Sequence, residues 1–222
     1  MMPSHAIREK AFQAVKDGKK DILIGLLDDH PSIRNAKNAE GISLLLFAIY
    51  NQRKELADLL VKFGAEFDVF SASAYGALKD IVSILRFEPD LVNTFSPDGW
   101  TPLHLASFFG NIMVVEFLVV SRAEMGAESR NALKNQPLNA ATVSNKTDIV
   151  QFLLKKGADV HFAQHGGITP LHAAAHNGND KVVRILLAHG ADPKTRNDKG
   201  ETPMDMATQQ GHANVVSLLR SL

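Results

Sequence analysis

The stretch Gly167, Ile168, Thr169, Pro170, Leu171, His172, Ala173, Ala174, Ala175 decides the fold, because the chain repeats it. It returns 33 residues later as Gly200, Glu201, Thr202, Pro203, Met204, Asp205, Met206, Ala207, Thr208. An upstream copy reads Gly99, Trp100, Thr101, Pro102, Leu103, His104, Leu105, Ala106, Ser107, and a weaker one begins Gln136, Pro137, Leu138, Asn139. Aligned on the threonine position, the steps are 35, 33 and 33 residues, a period that marks stacked supersecondary units. Local chemistry explains the tetrad. Thr at a helix N-cap accepts a backbone N–H, Pro at the first helical position has no donor to lose, and Leu enters the core.

Nine residues after each threonine position comes Gly110, Asn145, Gly178 or Gly211, followed by a helical apolar stripe. The stripes are Val114, Val115, Leu118, then Ile149, Val150, Leu153, then Val182, Val183, Leu186, then Val215, Val216, Leu219. Gly157, Ala158, Asp159 and Gly190, Ala191, Asp192 close the second helix of their units, with glycine supplying the left-handed end. Each unit is therefore a helix pair that buries its apolar side against its neighbours.

These motifs resemble the ankyrin repeat family, which carries the T-P-L-H tetrad, a glycine between two antiparallel helices and a G-A-D loop. The resemblance is strong over residues 97–222 and extends to residue 6 by weaker correspondences. Gly41, Ile42, Ser43, Leu44, Leu45, Leu46 stands in the tetrad register, and Ala11 to Val15, Gly18, Ile22, Leu26 and Leu27 read as a capping pair. Pro31 to Asn35 and Pro89 to Asn93 echo each other in the same phase. The implied fold is an all-α ankyrin-repeat solenoid of about seven helix pairs with projecting loops, one domain over residues 1–222. Approximate units are 6–37 as N-terminal cap, 38–66, 67–95, 96–130, 131–163, 164–196, and 197–222 as C-terminal cap. In this family position His104 and His172 are expected to bridge neighbouring loops through hydrogen bonds.

Two places break the period. From Gln52 to Gly76, the inter-helix positions of units two and three, the step is only 24, and Glu66, Phe67, Asp68 run almost directly into Val69 to Tyr75 without a tetrad. A short third unit lacking its projecting loop is expected, with a notch in the loop row. At the next irregularity Arg122 takes the place of the loop glycine and two residues are inserted before Gln136. The connection over residues 121–135 should be the least regular and most mobile of the C-terminal half.

Composition narrows the function. The 222 residues are 45% hydrophobic and 22% charged, which suits a folded globular chain rather than a disordered one. Lysine and arginine number 24 against 24 acidic residues, so no generic phosphate-binding surface is expected and nucleic acid is not the partner. Without cysteine there is no disulfide framework, thiolate zinc site or cysteine nucleophile. No 18 apolar residues run together and the start of the chain lacks a signal-type apolar core, so a cytoplasmic protein without membrane insertion is expected. The chain lacks a phosphate-cradling loop with its lysine, and its serines do not fall in a nucleophile elbow. His161, His165 and His176 have no carboxylate or H-E-x-x-H pattern to make a metal site, and only Asp68, Lys79 and Asp80 offer chemistry in the irregular third unit. A non-enzyme without cofactor or metal is the reading.

The resemblance implies a partner protein bound on the concave face, formed by loop tips and the exposed ends of the first helices. By register the protein-binding residues are Tyr50, Tyr75, Pro97, Asp98, Trp100, Phe108, Phe109, Val143, His165 and His176. Both tyrosines and the single tryptophan fall in this set. The aromatics either form an exposed hot spot or fill the space left by the missing loop. The expected role is a scaffold or adaptor, monomeric on its own; a fixed structural subunit or inhibitor-like regulator of one enzyme is the alternative.

Overall fold

The computed structural model describes residues 4–221, and among these every regular element is a helix. The first three pairs are α1 (His5–Asp17) with α2 (Lys20–Asp29), α3 (Leu44–Tyr50) with α4 (Lys54–Lys62), and α5 (Val69–Tyr75) with α6 (Leu78–Phe87). Four more follow: α7 (Pro102–Phe109) with α8 (Ile112–Val120), α9 (Pro137–Val143) with α10 (Thr147–Lys155), α11 (Pro170–His176) with α12 (Asp180–Ala188), and α13 (Pro203–Gln209) with α14 (Ala213–Arg220). First helices stack on first helices, and from α6 onward second helices stack on second helices. The result is the expected solenoid.

The tetrads start the helices as their chemistry requires. Thr101, Thr169 and Thr202 cap α7, α11 and α13 in reciprocal boxes with His104, His172 and Asp205, and a proline takes the first turn of each. Each cap contributes about 1 kcal/mol. His104 Nδ1 lies 2.7 Å from Thr101 Oγ1, and its Nε2 lies 2.9 Å from the carbonyl oxygen of Asn135 in the next loop. His172 repeats this with Thr169 at 2.8 Å and Glu201 at 3.0 Å. A carbonyl at Nε2 and donors at Nδ1 fix the neutral ring with its proton on Nε2, donating to the neighbouring loop.

First-helix C-termini leave carbonyls without helical partners, and the following units supply donors. Asn111 Nδ2 donates to the carbonyls of Ser73 and Ala74, both at 2.8 Å. Asn177 does the same for Val143 at 2.9 Å, and Arg53 for Lys16 at 2.8 Å. Backbone capping thus joins the first pair to the second, the third to the fourth and the fifth to the sixth, and histidine bridges join the fourth pair to the fifth and the sixth to the seventh.

The third unit is short in a specific way. Residues 63–68 connect α4 directly to α5, and Asp68 replaces the tetrad threonine: Ser71 N–H donates to Asp68 Oδ1 at 2.7 Å, while Asp68 N–H donates to Ser71 Oγ at 3.0 Å. The buried core divides inside this unit. Val69, Ala72, Ile81 and Leu85 belong to a cluster that runs through the C-terminal units, whereas Ala74 joins the N-terminal cluster together with Leu105 from α7. The expected open notch is corrected here. A Cβ on Gly41 would come within 3.3 Å of Pro97, so the loop tips of the second and fourth pairs meet across the gap, above a cavity of about 370 Å³ floored by Leu46, Phe67, Val69 and Phe70. Without a third loop to keep them apart, the flanking loops lean together.

Residues 121–135 contain no helix, as expected, yet they are tied down. Ser129 N–H donates to the Asn135 carbonyl at 2.8 Å, Glu124 N–H to Asn93 Oδ1 at 2.8 Å, and Arg130 N–H to the Gly99 carbonyl at 2.8 Å. Arg122 stands at φ 67° where two later units have Gly157 and Gly190, both at φ 92°. A side chain in that conformation costs about 1–2 kcal/mol, part of which glycine returns through its freer unfolded chain. Arg122→Gly is therefore expected to stabilise by about 0.5 kcal/mol and raise the melting temperature by about 1–2 °C in a thermal scan.

Candidate functional site

The loop that precedes α7 is a tight tip organised by one serine. Ser96 N–H donates to the Trp100 carbonyl at 2.8 Å, Gly99 N–H to the Ser96 carbonyl at 2.8 Å, and Trp100 N–H to Ser96 Oγ at 2.9 Å. The same hydroxyl donates to Asp98 Oδ1 at 2.7 Å. Asn38 and Asn197 hold the corresponding tips before α3 and α13, each with a glycine three residues on. That Asn/Ser-x-x-Gly spacing is the sequence signal through which Ser96 was detectable. On the far side Arg130 lies over the Phe95 ring, 3.8 Å from its centroid, and Asn131 Nδ2 donates to the Asp98 carbonyl at 3.3 Å. Asp98 and Trp100 are therefore presented by a braced turn.

Facing that turn is a chain of rings. Tyr50, the last residue of α3, stacks on Phe109 at 6.0 Å with an interplanar angle of 9°. Phe109 meets Phe108 edge-on at 5.2 Å, and Phe108 meets Trp100 at 5.9 Å. Trp100 in turn stands at 85° to His104, 5.5 Å away. The stack of Tyr50 on Phe109 joins the second pair to the fourth and skips the third, a pairing that the missing loop makes possible. Tyr50, Asp98, Trp100, Leu105, Phe108 and Phe109 enclose an open cavity of about 220 Å³.

These aromatics divide between packing and exposure. Tyr50, Trp100 and Phe109 are half-buried against the N-terminal core, while Phe108 is 37% exposed. Tyr75 is not in the cavity with them. Its hydroxyl donates to Asp58 at 2.7 Å and its ring packs on Phe67 at 5.3 Å, so it braces α5 against α4 and borders a separate hollow beyond Phe109. That hydrogen bond, then burial, pushes the Tyr75 phenol up to about 12, and the same bond holds Asp58 below the usual carboxylate range. Pro97 is exposed at the closed loop tips. Val143, His165 and His176 are exposed further along the solenoid and do not join the cavity. Leu105 is the wall residue that sequence reading missed, since its alternate position in the tetrad helix carries no mark of facing a hollow.

Electrostatics inside the cavity are acidic. Burial, and after it the Asp98 and Asp68 carboxylates, hold the Tyr50 phenol well above its ordinary value, and its buried hydroxyl makes no hydrogen bond of ordinary geometry. The outer row carries a second apolar exposure: α8 reads Ile112 to Val120 with one charge, leaving Met113 59% and Val120 78% exposed. Among the described residues no cluster of three metal-ligating side chains occurs, and no helix is long and apolar enough to cross a membrane.

Comparison with known proteins follows this architecture. The family described as ankyrin repeats in three copies matches residues 69–164 and 162–222. A putative ankyrin repeat protein of fowlpox virus is 28% identical over 169 residues, 72% of this chain and 38% of that protein. The rat ankyrin repeat and SAM domain-containing protein 6 is 38% identical over 102 residues, 46% of this chain and 11% of that protein. The chain thus spans well under half the length of both. Mouse protein phosphatase 1 regulatory subunit 27 is 28% identical over 116 residues, 52% of this chain and 74% of its own length.

Proposed function

From the premise that the chain belongs to the ankyrin-repeat family, we propose a non-enzymatic scaffold or adaptor whose protein partner seats on the concave face, at the cavity between Tyr50 and Trp100. The observation that carries this reading is the open aromatic cavity itself. It combines large rings, which bury area at low entropic cost, with a rim carboxylate on a braced turn. Pro97 flanks this anchor, and Tyr75, Val143, His165 and His176 extend the contact surface along the loop and first-helix ends. In this reading the free chain is monomeric and cytoplasmic.

Phe108 gives the cleanest test, because it is the most exposed ring of the cavity and its loss costs little packing. Tagged Phe108→Ala is expected to retain less than about a tenth of the partner captured by the wild type from extracts of expressing cells, with a melting temperature within about 2 °C. Val120→Lys on the outer row should capture normally. Capture lost with Val120→Lys and kept with Phe108→Ala would move the interface to the outer helices and overturn the concave-face reading.

A second reading, a dedicated regulatory subunit of one enzyme, is favoured by the match to a phosphatase regulatory subunit over most of that protein's length. Native mass measurement separates the two. One constant partner at fixed stoichiometry supports the subunit, and several partners support the adaptor.

A further inference from the structure

The cavity's walls and rim select an occupant. Four aromatic rings and Leu105 would welcome any apolar side chain, but Asp98 would not, since covering its carboxylate with an apolar group strips water from a charge whose other neighbours are neutral hydroxyls. Among the described residues no basic side chain lines the cavity to compensate it. The occupant must therefore bring a positive charge, hydrogen-bond donors and a surface that stacks on rings.

We propose that this cavity receives the guanidinium of an arginine side chain from the protein partner, which rests on the protein-binding reading above. Ser96 Oγ donates to Asp98 Oδ1 and the Tyr50 hydroxyl lies against the same carboxylate, two neutral groups that leave lone pairs on it to accept from the guanidinium. The planar cation stacks on the Trp100 ring, a contact that the compact ammonium of lysine makes less well. The surroundings of the Tyr50 hydroxyl agree: the Asp98 and Asp68 carboxylates both raise its pKa. The same loop already uses this packing internally, with Arg130 on Phe95. That arginine is committed to its own ring and does not fill the cavity.

Trp100 is the chain's single tryptophan, so its indole N–H gives one resonance that reports on the cavity directly. The intact protein, ¹⁵N-labelled, is titrated with Nα-acetyl-arginine methylamide, with the lysine counterpart and with the citrulline counterpart, which keeps the shape and removes the charge. Arginine is expected to move the indole resonance with an affinity about tenfold above citrulline and above lysine. Asp98→Asn, which preserves an acceptor for Ser96, should lower the arginine affinity to the citrulline level and leave citrulline unchanged. Citrulline or lysine binding as tightly as arginine, or an indole resonance unmoved at about 50 mM arginine derivative, would overturn the assignment. Because the probes are free amino-acid derivatives, their failure removes the arginine alone. The protein-binding reading stands or falls separately on capture by Phe108→Ala.

Discussion

Gly99→Ala is expected to destabilise the protein by about 3 kcal/mol and to lower its melting temperature by about 6–10 °C. Gly99 has φ 86°, and a Cβ built on it falls 2.7 Å from the Arg130 carbonyl carbon and 2.9 Å from Asn131 N. Both obstacles are backbone, so no rotamer change relieves them. The Gly99 carbonyl also accepts the Arg130 N–H at 2.8 Å, which holds the two loops at this separation. Left-handed strain supplies about 1–2 kcal/mol of the cost and backbone overlap a further 1–3 kcal/mol. Gly157→Ala isolates the first contribution, because Gly157 has φ 92° and nothing within 4 Å of its Cβ position. It should cost about 1 kcal/mol. Urea unfolding of both variants checks the difference, and equal losses would refute the claim that loop contact sets the cost at Gly99. The substitution also moves the neighbours Asp98 and Trp100, so the indole resonance should shift in Gly99→Ala and stay in place in Gly157→Ala.

That contrast shows which parts of the molecule were legible in the sequence. Caps, tetrads and helix stripes are local: Thr101, Pro102 and Gly110 specify a helix whatever lies beside them, so seven pairs could be read from residue types and a 33-residue period. The bridging roles of His104 and His172 were implied by the family resemblance of their tetrads, and each makes its bridge. The candidate site depends instead on how far apart two units sit. The residue types at Tyr50 and Phe109 could be singled out by register, but their stacking needs the second and fourth pairs to approach across the short third unit. No residue records that distance. The loop tips closed for the same reason, with Gly41 meeting Pro97 where an open notch was expected. Tyr75, like Tyr50, ends a first helix, yet Asp58 on α4 captures its hydroxyl and takes it out of the cavity. Its role was decided by a partner 17 residues away that belongs to no motif.

Acid should weaken the solenoid well before ordinary carboxylates titrate. Burial lowers the His104 pKa to about 4, opposed only in part by its hydrogen bond to the Asn135 carbonyl, against about 6.5 in the unfolded chain. His172 is shifted in the same direction, again by burial. Between these values the unfolded chain binds the proton and the folded chain does not, so folding stability rises with pH across the interval. The contribution is complete above about pH 6.5 and is lost as pH falls towards 4: for His104 alone about 2 kcal/mol by pH 5 and about 3 kcal/mol in all. Asp58, Asp205 and Glu201 have lowered pKa values, so their contributions are lost only at the acid end, as pH falls through the carboxylate range. The chain contains its own control. In the fifth pair Asn139 stands at the tetrad histidine position, completes the capping box with Gln136, and reaches the next loop through the Phe162 carbonyl at 3.3 Å. His104→Asn should therefore fold with a cap and a bridge but without a proton to bind. Urea unfolding at about pH 7, 6, 5 and 4, one unit apart across the interval, is expected to give a shallower pH dependence for this variant than for the wild type, the gap closing towards low pH. Parallel curves would mean that His104 titrates alike in the folded and unfolded chain, and the bridge to Asn135 would then not depend on a neutral ring.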